Sequence, residues 1–134
     1  MVVRMDISNR TRQRINVMMM LYNEEITSDS SNLNLDLDEF GKKLYFEIKN
    51  NLERIDKIIS DNLKDYKINR LNIVDKQIIR IAVLELLNKT DKRIVINEAI
   101  NLSKVYTECE NFDSSKFNNK LLDTISISLG EVNE

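Results

Sequence analysis

The segment IVINEAINLSKVY, Ile94 to Tyr106, sets an amide and a carboxylate, Asn97 and Glu98, inside a stretch otherwise built to be buried. A carboxylate so placed serves acid–base chemistry only with partners, and the chain offers few. Histidine is absent, which removes Ser/His and Cys/His nucleophile pairs and the commonest metal ligand. No glycine-rich loop is present to cradle a phosphate. Nothing beside Glu98 completes an active site, so the pair reads as scaffolding. Glu98, beside Val95 and Leu102 at the edge of the apolar face, is expected to pair with a cation, Arg80 being the candidate, or to accept hydrogen bonds from a neighbouring backbone. Asn97 is expected to tie helices together through its amide.

A second kind of chemistry lies at the start of the chain. Arg4, Arg10, Arg12 and Arg14 form a basic segment, and no acid lies between Asp6 and Glu24. Such a patch can attract polyanions although the net charge is -2. The alternative is a solvated helix start. Cations there oppose the helix dipole, which leaves room for an external reason for them.

The elements that hold these groups follow from composition and period. The chain has 134 residues, enough for one domain with one core, and we expect a single domain over 1–134. Proline is absent and glycine occurs twice, which argues for long helices joined by polar loops. Ser8 or Asn9 could cap a first helix running to about Glu24, with Ile15, Met18, Met19 and Tyr22 on its apolar face, widened by Val17 and Leu21. Arg10 and Arg14 share a face of it. Residues 27–36 read as a flexible loop. One stripe from Leu37 through Leu44, Ile55 and Leu63 to Tyr66 predicts a second helical region that breaks near Ser60 to Asn62. Asn72 caps a third region, to Asn88, that is apolar on nearly all sides and therefore central. Helices over Arg93 to Tyr106 and from Asp113 or Ser114 to about Leu129 complete an all-α, compact bundle of about six to seven helices. Cys109 is the only cysteine, and no apolar run is long enough to cross a bilayer, so a cytoplasmic protein is expected.

Three segments in order, VDKQIIRIAVLELL (Val74 to Leu87), IVINEAINLSK (Ile94 to Lys104) and DSSKFNNKLLD (Asp113 to Asp123), closely resemble the NusB family of bacterial transcription antitermination factors. RTRQRINVMMMLY (Arg10 to Tyr22) is similar to that family's arginine-rich first helix, and LYFEIKNNLERIDKII (Leu44 to Ile59) to its second long one. The resemblance covers roughly Asn9 to Ile127. It implies a compact all-helical fold that is not an enzyme and needs no cofactor or metal. It also implies binding of single-stranded boxA RNA from ribosomal RNA operon leaders, together with ribosomal protein NusE. Other Nus factors and RNA polymerase are implied as further partners, with no membrane, as a monomer or homodimer.

By position, the resemblance places Arg10, Arg12, Arg14 and Tyr22 in or beside the family's basic RNA-binding segment. It places Asp113, Ser114, Lys116 and Phe117 in the segment at the start of the last helix that members use against RNA, with Tyr106 close by. Asp75 and Arg80 fall near where the family docks NusE. Single-stranded RNA is held by cations on phosphates and aromatic faces on bases, and Phe117, Tyr22 and Tyr106 are the candidates for the second task. Phe117 shares a stripe with Leu121 and Ile125, so core packing is its competing role. Asp113 would cap the helix or accept from a base or ribose, and Lys116 and Lys120 stand one turn apart. The family commonly has Phe-Val-Asn-Gly where this chain has Phe117, Asn118, Asn119 and Lys120, and the segment Thr107 to Phe112 is longer than usual. Two other functions remain compatible with the sequence: a freestanding relative of the NusB-like domains fused to RNA methyltransferases, and a self-associating helical module.

Overall fold

The computed structural model describes residues 7–28, 35–64, 67–108 and 113–132. Most of the loop expected at 27–36, Tyr66, and Cys109 with most of the 107–112 segment lie outside them. The described chain forms α1 (Asn9–Thr27), α2 (Glu39–Asn50), α3 (Leu52–Asn62), a 3-10 turn (Ile68–Arg70), α4 (Ile73–Leu87), α5 (Lys92–Tyr106) and α6 (Ser114–Val132). It is an all-α bundle, as expected.

Helix starts follow the capping residues. Ser8 accepts from the Thr11 N–H, Asp38 from Gly41, Asn72 from Val74 and Asp75, and Asp91 from Arg93. The second helical region ends at Asn62 as predicted, but it is also interrupted at Asn51, whose φ of -120° and ψ of 18° leave the helix. The stripe of Leu44, Ile48, Ile55 and Ile59 stays buried across this break. Apolar period alone therefore did not reveal it.

α4 sits at the centre. Ile78, Ile79, Ile81, Ala82, Val83 and Leu84 are buried, and the helix packs against all five other α-helices. α1 runs antiparallel to it: Arg14 meets Glu85 near the end of α4, while Glu25 meets Gln77 and Arg80 near its start. α5 closes on the same helix, and α6 packs on α5, α4 and α3. The heads of α1 and α6 therefore lie toward opposite ends of α4.

The apolar face of α1 is rotated from the expected one. Gln13, Arg14, Val17, Met18 and Leu21 are buried, whereas Met19 and Tyr22 are 43% and 38% exposed. Val17, Met18 and Leu21 set the inward direction, and at helical spacing Arg14 falls on their side.

Candidate nucleic-acid interface

The head of α1 presents two of its three arginines. Arg10 and Arg12 are exposed. The Arg10 guanidinium lies 4.7 Å from the centre of the Phe40 ring, a cation–π contact that restricts the side chain without neutralising it. Arg14 departs from the expected role. It is 4% exposed, with Nε 3.0 Å from Glu85 Oε1, one terminal nitrogen 2.9 Å from the same carboxylate and the other 3.4 Å from Glu98. A strand outside the protein cannot reach it. Because the rotated face carries Arg14 inward, its charge needs internal acids, and α4 and α5 supply them.

Glu98 pairs with a cation as expected, but that cation is Arg14 and not Arg80, and it also accepts from the Thr11 hydroxyl at 2.8 Å. It thereby ties the first turns of α1 to the middle of α5. Asn97 does not tie helices together: it is exposed and its side chain makes no hydrogen bond among the described residues.

Asp75 and Arg80 are also internal. Arg80, 8% exposed, donates to Asp56 at 2.8 and 2.7 Å and to Glu25 at 2.9 Å, and Lys76 reaches Glu25 at 2.7 Å. Burial pushes the Glu25 carboxyl up, but hydrogen bonds from Lys76 and Gln77 and the charges of Lys76 and Arg80 outweigh it and leave the pKa below the usual value. Burial likewise opposes the Arg80 charge, and Asp56 and Glu25 raise its pKa all the same. Asp75, 4% exposed, accepts from the Asn118 amide at 2.9 Å. Neither side chain is presented for docking, because each closes an interhelical network.

The head of α6 gathers most of the remaining candidates. Asp113 is exposed and accepts from the Lys116 N–H at 2.9 Å. That bond, followed by the Ser115 hydroxyl, holds its carboxyl below the usual range. Ser114 is buried and donates to the Thr107 carbonyl at 3.2 Å, so it fastens the end of α5 to the start of α6 and faces no solvent. Lys116 and Lys120 are exposed, Phe117 is half-buried, and Tyr106 at the end of α5 is 45% exposed. Asn118, where the resemblance sets a valine, is fully buried. Its amide donates to Asp75 and, at 2.8 Å, to Ser103, while its carbonyl oxygen has no partner among the described residues.

Beside Phe117 a groove of about 260 Å³ opens between α6 and the end of α3, lined by Asn62, Leu63, Lys64, Phe117, Lys120, Leu121 and Thr124. Asp75, near the α6 head, and Glu85, near the α1 head, stand ten residues apart on α4, about 15 Å at helical rise. Arg10 and Arg12 thus form one cationic group, and Lys116 and Lys120 a second, with Tyr22 exposed along α1 between its two ends. Sequence reasoning missed Phe40 and Lys64. Phe40 lies between Leu37 and Leu44 on the stripe used only to predict a helix, and Lys64 meets α6 only through the tertiary fold. The burial of Arg14 did leave a signal, its spacing to Val17, Met18 and Leu21.

The comparisons agree with this architecture. The NusB family model matches residues 1–126. A transcription antitermination protein NusB from Treponema denticola is 43% identical over 88 residues, 64% of this chain and 62% of that protein. This match thus spans under two thirds of that relative. A second, from Clostridium botulinum, is 32% identical over 132 residues, covering 87% of this chain and 97% of that one. A solved structure of antitermination factors NusB and NusE in complex with double-stranded RNA is similar with a TM-score of 0.72 at 26% identity, covering 90% of this chain and 99% of that one. Among the described residues no helix is long and apolar enough to cross a membrane.

Proposed function

The chain belongs to the NusB family, and from that premise we propose that it is a transcription antitermination factor. It binds single-stranded boxA-type RNA of ribosomal RNA operon leaders together with ribosomal protein NusE, in the cytoplasm, and joins the elongating polymerase complex. It acts by binding and not by turnover. The reading takes Arg10, Arg12, Lys116 and Lys120 as phosphate contacts and Phe117, Tyr106 and Tyr22 as the rings nearest the bases. Arg14, Ser114, Asp75 and Arg80 take structural roles instead, and Asp113 acts through the α6 cap.

The observation that carries this reading is the head of α6. There two exposed ammonium groups and a half-buried ring share one end of a rigid helix, held by Asp113, Ser114 and Asn118. Cations and rings fixed in that way suit an unpaired strand. The solved relative holds double-stranded RNA, so strandedness belongs in the test. A titration with a boxA-like single strand and with its duplex, each with and without NusE, should show tighter binding to the single strand and a further gain with NusE. No binding in any mixture at low salt would overturn the reading.

A further inference from the structure

We infer that Phe40 is a positioning residue for RNA: its ring holds the Arg10 guanidinium ready for a phosphate of the bound strand, a support that Arg12 lacks; this rests on the RNA-binding reading above. The two exposed arginines of the α1 head differ in one respect. The Arg10 guanidinium lies over the Phe40 ring, and no ring stands beside Arg12 among the described residues. Neither arginine makes an ion pair among the described residues. The ring is itself fixed. It is half-buried against the core, and the Arg14 guanidinium lies 5.2 Å from its centre. Arg14 is held in turn by Glu85 and Glu98. A buried ion-pair network thus ends in a ring, and the ring in an exposed cation.

The first turn of α2 delivers the ring. The Gln13 side-chain carbonyl accepts from the Asp38 N–H at 3.0 Å, and a Cβ at residue 41 would strike that same oxygen. Gly41 therefore lets α2 approach α1 closely enough to bring Phe40 to Arg10. Asp38 does not quench the arginine. One of its oxygens accepts from the Gly41 N–H at 2.8 Å and the other from the Asn9 amide at 2.5 Å. Its carboxyl lies below the usual range first through the Gly41 N–H; burial opposes this, and the Asn9 amide, the Phe40 N–H and, last, the Arg10 charge add to it. A stacked guanidinium spends its face on the ring and keeps its N–H edge for phosphate oxygens, a division that lysine cannot make. An arginine side chain loses conformational freedom when it docks. One that is already held loses less, and binding is tighter by that difference.

The test measures the affinity of the full chain, with NusE, for the boxA-like single strand. Phe40→Leu removes the ring and keeps an apolar side chain, and Phe40→Tyr keeps the ring. The leucine change is made alone, with Arg10→Ala and with Arg12→Ala. Thermal melts confirm folding. Phe40→Leu should weaken binding about fivefold in the wild-type and Arg12→Ala backgrounds, and less than about twofold in the Arg10→Ala background. The slope of log affinity against log salt should not change with Phe40→Leu, since the phosphate contact persists once its prearrangement is lost. Phe40→Tyr should bind within about twofold of wild type. Equal losses in the two arginine backgrounds, or a tyrosine variant as weak as the leucine one, would overturn the positioning role and leave a merely structural one. Proton NMR of the wild-type chain is independent of any folding defect. The Arg10 side-chain resonances, assigned against Arg10→Lys, should be displaced upfield by the ring, and undisplaced resonances would overturn the role as well. A wild-type chain that shows the displaced resonances and binds no RNA would instead overturn the functional reading.

Discussion

A guanidinium in the interior has no water to solvate it, so Arg14 depends on Glu85 and Glu98, and they on it. Removing one partner of such a pair leaves a buried charge unmatched, which costs about 3–5 kcal/mol. Arg14→Ala should therefore lower the unfolding free energy by about that amount in urea titrations. Arg12→Ala, at an exposed site, should change it by no more than about 0.5 kcal/mol. Replacing Arg14 and Glu85 together by leucine should recover most of the loss. If Arg14→Ala is as mild as Arg12→Ala, the buried pair is not the anchor of α1. Glu25 gives the matching prediction in pH. Its folded pKa lies below the usual 4.5, so its contribution is fully present above the unfolded value and is lost as pH falls through the folded one. The melting temperature of Glu25→Gln should accordingly lie below that of wild type at pH 7 and converge with it as the pH falls through the lowered folded pKa. A gap that stays constant with pH would remove the ion-pair explanation.

Each helix end carries its own chemistry, and α4 shows both ends at work. Asn72 satisfies the first free N–H groups, while at the other end Lys89 has φ 64°, with its N–H on the Leu86 carbonyl and the Thr90 N–H on that of Glu85. That pairing closes a helix with a left-handed residue, a place glycine occupies without penalty and lysine does not. Lys89→Gly should thus raise stability by about 1 kcal/mol, read as a higher urea midpoint at unchanged slope. A lower midpoint would mean that unfolded-chain entropy outweighs the strain relieved. Capping residues and apolar period were also what made the helices readable in advance: Ser8 and Asn72 marked starts, and the all-round apolar run of α4 marked the centre. The break at Asn51 escaped because its neighbours Ile48 and Ile55 keep the stripe intact. The facing of α1 escaped because Met18, Met19, Tyr22 and the true set Val17, Met18, Leu21 are both plausible apolar faces, differing by about one residue's turn. Arg14 and Arg80 were misassigned for a further reason. Their partners lie on other helices, and sequence spacing says nothing about which acid a buried cation will meet.

At the scale of the whole molecule, α1 and α6 carry their exposed cations toward opposite ends of α4, so the proposed RNA face is two clusters and not one patch. Each phosphate contact releases counterions, and for single strands log affinity falls by about 0.7 per contact per unit of log salt. With Arg10, Arg12, Lys116 and Lys120 all engaged the slope should be near -2.8, four contacts at about 0.7. Arg10→Ala/Arg12→Ala should bring it to about -1.4, and so should Lys116→Ala/Lys120→Ala, since each removes one cluster. Strand length separates the clusters further. An oligonucleotide too short to bridge the two ends of α4 should show the smaller slope even with wild-type protein, and should lose no further slope to whichever pair it does not reach. A short strand with the full slope would place both clusters within reach of the same few phosphates, contrary to the antiparallel run of α1 along α4. A long strand indifferent to Arg10 and Arg12 would confine recognition to the head of α6, with the α1 arginines serving solvation alone.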